Sequence, residues 1–196
     1  METFFCNEDY EKYIELMNEW CGKLGVEIWA YCLMPNHIHL VAVPLDKTGL
    51  AKAIGEAHRR YTRHINFREG WRGYLWQGRF ASFVMDQMYL EATVRYVEMN
   101  PVRAGLVKRP WDYRWSSAAA HVKGQNDALA NVKPLIDFFG DGGKFLAKGL
   151  GGIEVEELRM HTRTGRPLGA SRFVRRLETK LGRILAPQKG GRPKKE

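Results

Sequence analysis

From Val26 to Pro44 the chain reads VEIWAYCLMPNHIHLVAVP, two runs rich in β-branched and aromatic residues broken by Pro35-Asn36. Such runs joined by a short Pro/Asn break predict an antiparallel β-hairpin over 26–34 and 37–43. Side chains alternate along a strand, so His37 and His39 share one face while Ile38 points to the other. Two imidazoles so placed can share a divalent metal and leave positions open for substrate oxygens. Hydrogen-bonded core histidines are the competing reading.

On the N-terminal side, Asn7 is a candidate N-cap followed by Glu8 and Asp9. Tyr10, Tyr13, Ile14, Met17, Trp20, Cys21 and Leu24 then recur as an amphipathic helical stripe ending near Gly25. On the other side, Leu50, Ile54, Ala57, Tyr61 and Ile65 predict a second helix, with Arg59, Arg60 and Arg63 turned partly away from its apolar face. FASFV (80–84) reads as a short strand. A third helix is predicted from about Asp86 to Met99, because Pro101 disfavours helical geometry at Asn100. The order matches an α+β fold, a ferredoxin-like αβ plait with an antiparallel sheet and helices on one face, lacking its first strand. A short helix is predicted near Ser116, another within 127–145, and two more within 154–186 on either side of Thr164–Gly169. KGGRPKKE closes the chain as a flexible tail. The expected divisions are 1–125 as the main domain, 126–153 as a connecting segment, 154–186 as a helical basic region and 187–196 as the tail.

The 196 residues carry a net charge of +9, with 31 Lys plus Arg and 22 Asp plus Glu. Twelve of those basic residues and only two acids lie between Leu158 and Glu196, so the body is near neutral and the C-terminal region strongly basic. That asymmetry points to a polyanion partner. No apolar run reaches the roughly 20 residues of a bilayer span, and the acidic start METFFCNEDYEKY is unlike a secretory signal, which predicts a cytoplasmic protein with no membrane partner. Cys6, Cys21 and Cys32 have no CxxC spacing and predict reduced thiols.

Tyr96 and Asn100, four residues apart, fall on one face of the third helix. Asn supplies a carbonyl oxygen to a hard cation, and a tyrosine phenolate is a nucleophile. Tyr61 and Tyr89 remain rivals for that role on spacing alone. Arg59, Arg60, Arg63, Arg68, Arg72 and Arg79 are interleaved with Tyr61, Phe67, Trp71, Tyr74 and Trp76, the pairing of cations and stacking rings that single-stranded nucleic acid requires, with Trp76 and Phe80 expected in the core.

YCLMPNHIHLVAVP (31–44), GYLWQGRFASF (73–83), RYVEMNPVRAGLV (95–107) and WSSA (115–118) together resemble the HUH-type single-tyrosine transposases, more narrowly the REP-associated tyrosine transposases. The resemblance covers roughly residues 4–120 and extends to TGRPLG (164–169) and the closing GRPKK. It implies that His37, His39 and Asn100 hold Mg²⁺ or Mn²⁺ and that Tyr96 attacks a phosphodiester of single-stranded DNA at a structured palindromic repeat, forming a 5′-phosphotyrosine. With an ordinary tyrosine pKa near ~10, nearby positive charge must help, and Arg95 and Arg103 are the candidates. Arg59, Arg60, Arg63, Arg72, Arg79, Arg103, Arg166, Arg172, Arg175, Arg176, Arg192, Lys194 and Lys195 are the expected DNA-binding residues. Gly191-Arg192-Pro193 with Lys194 and Lys195 is similar to a minor-groove AT-hook. Members of the family usually begin with a strand upstream of the equivalent of Phe4-Phe5, hence the expectation of a missing first strand. A repeat-DNA binding protein that keeps the fold without cleaving is the alternative. A small metallohydrolase using His37 and His39 leaves the basic tail unexplained. The partner is single-stranded or hairpin DNA, with the protein a monomer or homodimer.

Overall fold

The structure, a computed structural model, describes residues 2–149 and 152–187. It has α1 (Asn7–Lys23), β1 (Val26–Met34), β2 (His37–Pro44), α2 (Gly49–Glu69), α3 (Gln87–Glu98), α4 (Asn100–Arg103), α5 (Ala118–Lys123), α6 (Lys133–Phe139), α7 (Gly142–Ala147), α8 (Gly152–Thr164) and α9 (Ser171–Leu181). Two compact units emerge, Met1–Arg79 with Ala92–Leu150, and Phe80–Glu91 with Gly151–Glu196. Residues 126–149, most of the 126–153 read from sequence as a connecting segment, belong to the first unit and include α6 and α7.

The hairpin forms as expected, antiparallel, with Met34 opposite His37, Cys32 opposite His39 and Tyr31 opposite Leu40. Tyr31, Cys32, Leu33 and Met34 are all buried. An unbroken buried run means that both faces of β1 are covered. The α1 and α2 pair packs on the hairpin, and α4 also contacts β1. Ring stacking ties α1 to the chain entrance: Phe4 lies 4.3 Å from Tyr10, and Tyr13 meets Tyr61 edge-on at 5.3 Å. Each such pair contributes about 0.5–1.5 kcal/mol beyond its buried area. The cap of α1 sits at Cys6 rather than Asn7, because Asp9 reaches back to accept from the backbone N–H of Phe5 and Cys6. At the far end of α2, Gly70 takes a left-handed φ of 67°, the conformation for which glycine is suited.

The outer edge of β1 is satisfied by distant chain. Leu33 N–H donates to Trp115 O at 2.8 Å, Ser117 N–H to Tyr31 O at 3.0 Å, and Asn131 N–H to Ile28 O at 2.8 Å. Among the described residues, β2 pairs with β1 alone.

The strand expected at 80–84 is not there. Phe80 and Phe83 are half-buried, Ala81, Ser82 and Val84 are exposed, and the segment is irregular up to a single bridge between Met85 and Leu168. With no neighbouring edge along its length, its backbone has no ladder to join, and an isolated strand does not persist in water. Within this second unit, Leu168 N–H donates to Val84 O at 2.9 Å, and the Asp86 carboxylate accepts from Ala170 N–H at 2.7 Å at the start of α9.

Candidate active site and DNA-binding surface

Alternation along β2 brings the His37 and His39 rings together, centroids 4.8 Å apart at an interplanar angle of 90°. Tyr96, delivered by the last turn of α3 and 9% exposed, presents its ring to His39 at 5.6 Å and 84°. The helix stops at Glu98 and resumes as α4 with Pro101 in its first turn, where a missing N–H costs nothing. Asn100 therefore sits one turn after Tyr96. Its amide nitrogen donates to Tyr96 O at 3.1 Å and Val97 O at 3.3 Å.

Arg103 closes the group. Its guanidinium lies over the Tyr96 ring, donates to Tyr96 O at 3.2 Å and donates to Asn100 Oδ1 at 2.5 Å. Arg95 points elsewhere, over the Phe145 ring at 5.5 Å. Of the two arginines flanking Tyr96 in sequence, Arg103 is the one at the phenol.

Burial pushes the His39 imidazole down to about 3, with the charges of His37 and Arg103 acting in the same direction. Burial also lowers His37, whose Nδ1 contacts Asn36 Oδ1 at 2.6 Å and leaves Nε2 as its free donor atom. Neutral imidazoles with unprotonated nitrogens are what a divalent metal needs. Two histidines fit such an ion. The Asn100 carbonyl oxygen, the further candidate ligand, is engaged by Arg103. Among the described residues, no group of three or more His, Cys, Asp and Glu could hold a metal.

Neither rival tyrosine joins this group. Tyr61 is fully buried and donates to Thr3 O at 2.8 Å. Tyr89 belongs to the second unit, where the Glu157 and Asp86 carboxylates raise its pKa, the opposite of what a nucleophile requires.

The arginine and aromatic strip separates into anchors and exposed rings. Trp76 stacks on His58 at 3.9 Å and 10°, and Leu75 is buried, which fixes the loop after α2. Phe67 and Tyr74 are 91% and 95% exposed, with Trp71 half-exposed beside them. Arg59 and Arg60 pair with Glu56 at 2.6 and 3.5 Å, and Arg68 pairs with Asp9 and Glu69. Arg63, Arg72 and Arg79 are exposed and make no ion pair among the described residues. Arg59 and Arg63 line an open concavity with Thr62, Asn66, Phe67 and Trp71.

In the second unit Arg172, Arg175 and Arg176 are exposed on α9, and Arg166 is half-buried with its carbonyl accepting from His161 Nδ1 at 2.8 Å. Arg192, Lys194 and Lys195, with the expected flexible tail, lie outside the described residues. No helix among the described residues is long and apolar enough to cross a membrane. Sequence reasoning missed a buried cluster behind Tyr96, made by Glu98, Ser117 and His121. Its serine lies in WSSA (115–118), a stretch whose burial only the structure reveals.

Residues 2–100 match the model of the family described as "Transposase IS200 like". A curated relative, the "Putative REP-associated tyrosine transposase" of Haemophilus influenzae (strain ATCC 51907 / DSM 11121 / KW20 / Rd), is 28% identical over 134 residues, 63% of this chain and 74% of the relative. A solved structure titled "Structure of the REP associates tyrosine transposase bound to a REP hairpin" aligns with a TM-score of 0.47 and 19% identity, over 64% of this chain and 76% of that one. With half of its length matched by the family model, the chain belongs to the IS200-like transposases.

Proposed function

We propose that this transposase nicks and rejoins single-stranded DNA at structured palindromic repeats, with Tyr96 as nucleophile. The observation that carries the reading is the run of rings His37, His39 and Tyr96 closed by Arg103, each within 6 Å of the next. The Tyr96 oxygen attacks phosphorus, the bond to the 3′-oxygen breaks, and the phenolic proton is balanced by protonation of the leaving 3′-oxygen. The products are a 5′-phosphotyrosine and a free 3′-OH, and the reverse attack rejoins a strand without hydrolysis. Arg103 offers a fixed positive charge to the attacking oxygen. His37, His39 and Asn100 would hold Mg²⁺ or Mn²⁺, which when bound polarises a non-bridging phosphate oxygen and orients the scissile group.

Binding falls to two surfaces. Arg63, Arg72 and Arg79 neutralise phosphates beside Phe67, Trp71 and Tyr74, on which unpaired bases stack. Arg172, Arg175 and Arg176, with the tail residues Arg192, Lys194 and Lys195, engage the duplex part of a hairpin. The relative's printed name, a REP-associated transposase, agrees with a repeat substrate.

A labelled single-stranded hairpin incubated with protein and Mn²⁺ should give a covalent adduct that Tyr96→Phe abolishes. An adduct that survives this substitution overturns the assignment. A second reading, repeat binding without cleavage, draws on the Asn100 carbonyl being engaged by Arg103. Hairpin binding with no adduct in Mn²⁺ selects it.

A further inference from the structure

Between the two reactive positions of the α3–α4 segment lies Glu98, 0% exposed. Residues two apart on a helix point about 200° from each other, so Glu98 faces away from Tyr96 and Asn100, into the core. There its Oε1 accepts from Ser117 Oγ at 2.5 Å and from His121 Nδ1 at 2.6 Å. Ser117 Oγ in turn accepts from the backbone N–H of Tyr31 at 2.9 Å, and Ser117 N–H donates to Tyr31 O. Tyr31 neighbours Cys32, the residue paired with His39 across the hairpin. Glu98, Ser117, His121, Tyr31 and Cys32 are all buried.

A carboxylate is an expensive group to bury unless its position matters, and an apolar side chain would fill the same space more cheaply. We propose that Glu98 is a positioning residue that fixes Tyr96 and Asn100 against the histidine strand through Ser117 and the main chain of Tyr31. The inference rests on the proposed role of Tyr96 for its catalytic consequence, but the restraint on the Tyr96 ring exists whether or not the protein cleaves DNA. Oε1 carries both hydrogen bonds, while Oε2 has none among the described residues. A glutamine carbonyl can accept the same two hydrogen bonds, and alanine accepts neither.

The test uses the full chain with ¹³C-ring-labelled tyrosine, the Tyr96 signal being assigned through Tyr96→Phe. Glu98→Ala is expected to shift and broaden the Tyr96 ring signal, and Glu98→Gln to leave it as in the parent protein. On a labelled hairpin, Glu98→Ala should lower the maximal rate of adduct formation about a hundredfold with the apparent KM nearly unchanged, the signature of lost positioning, and Glu98→Gln should restore most of it. Ser117→Ala deletes one hydroxyl from the same link and repeats the test should Glu98→Ala melt below the assay temperature. An unchanged Tyr96 signal in both Glu98→Ala and Ser117→Ala overturns the proposal, as does a Glu98→Gln variant as impaired as Glu98→Ala. A parent protein that forms no adduct refutes the proposed function alone, because the ring signal still decides the restraint.

Discussion

The Arg103 guanidinium stands 4.1 Å from the centre of the Tyr96 ring and at the same time holds the Asn100 side-chain oxygen. One cation thus lies on the proposed nucleophile and occupies the third candidate metal ligand. Arg103→Ala removes the charge that supports the attacking phenolate, and adduct formation should slow by about a hundredfold. The same variant frees Asn100, so Mn²⁺ affinity measured by titration calorimetry should hold or rise. A fall in Mn²⁺ affinity would show that Arg103 helps assemble the site instead.

The exposed rings and the unpaired arginines contribute in different ways to DNA binding. Arg63→Ala and Arg72→Ala should each weaken binding of a single-stranded hairpin and reduce the slope of log affinity against log salt by about 0.7 to 1. Tyr74→Ala and Phe67→Ala should weaken binding by about 1–3 kcal/mol with the slope unchanged. Fluorescence anisotropy over a range of salt concentrations separates the two effects.

Replacing Lys194 and Lys195 with Ala should lower affinity and flatten its salt dependence while the cleaved position stays the same. Sequencing the released 3′-OH end checks this, and a moved cleavage site would contradict a tail that contributes affinity only.

His58 links stability to pH. It stacks on Trp76 and contacts the Tyr13 hydroxyl at 2.9 Å, and burial pushes its pKa from 6.5 down to about 4. Between those values the unfolded chain takes up a proton that the folded chain refuses, so stability falls as pH drops from 6.5 towards about 4. His58→Gln should show a smaller loss of melting temperature than the parent protein between pH 7 and pH 4.5. Equal losses would place the acid sensitivity elsewhere.

The hairpin and the first three helices were legible because their signals are local: β-branched runs around Pro35-Asn36, and apolar stripes such as Tyr10, Tyr13, Met17 and Cys21. The approach of Tyr96 to the two histidines was to be expected only through family resemblance, since spacing alone did not exclude Tyr61 and Tyr89. Tyr61 is excluded by its place in the core and Tyr89 by belonging to the second unit, and both are properties of the packed chain. The strand expected at 80–84 failed for a related reason: composition describes a segment's preference but not the presence of an edge to pair with. The partner that does complete β1 lies 86 residues away from Tyr31, in Ser117, and no periodicity announces it. The side to which Arg103 turns was equally hidden, since it depends on where Asn100 ends up after Pro101.

The segment from Tyr96 to Asn100 points its reactive groups forward and its anchor, Glu98, backward within five consecutive residues. Inserting or deleting a single residue inside it turns everything beyond by about 100°. Either the nucleophile or its tether then faces the wrong way, and no compensating side-chain change restores both. A change of length here costs both roles at once, whereas a substitution costs one role at a time.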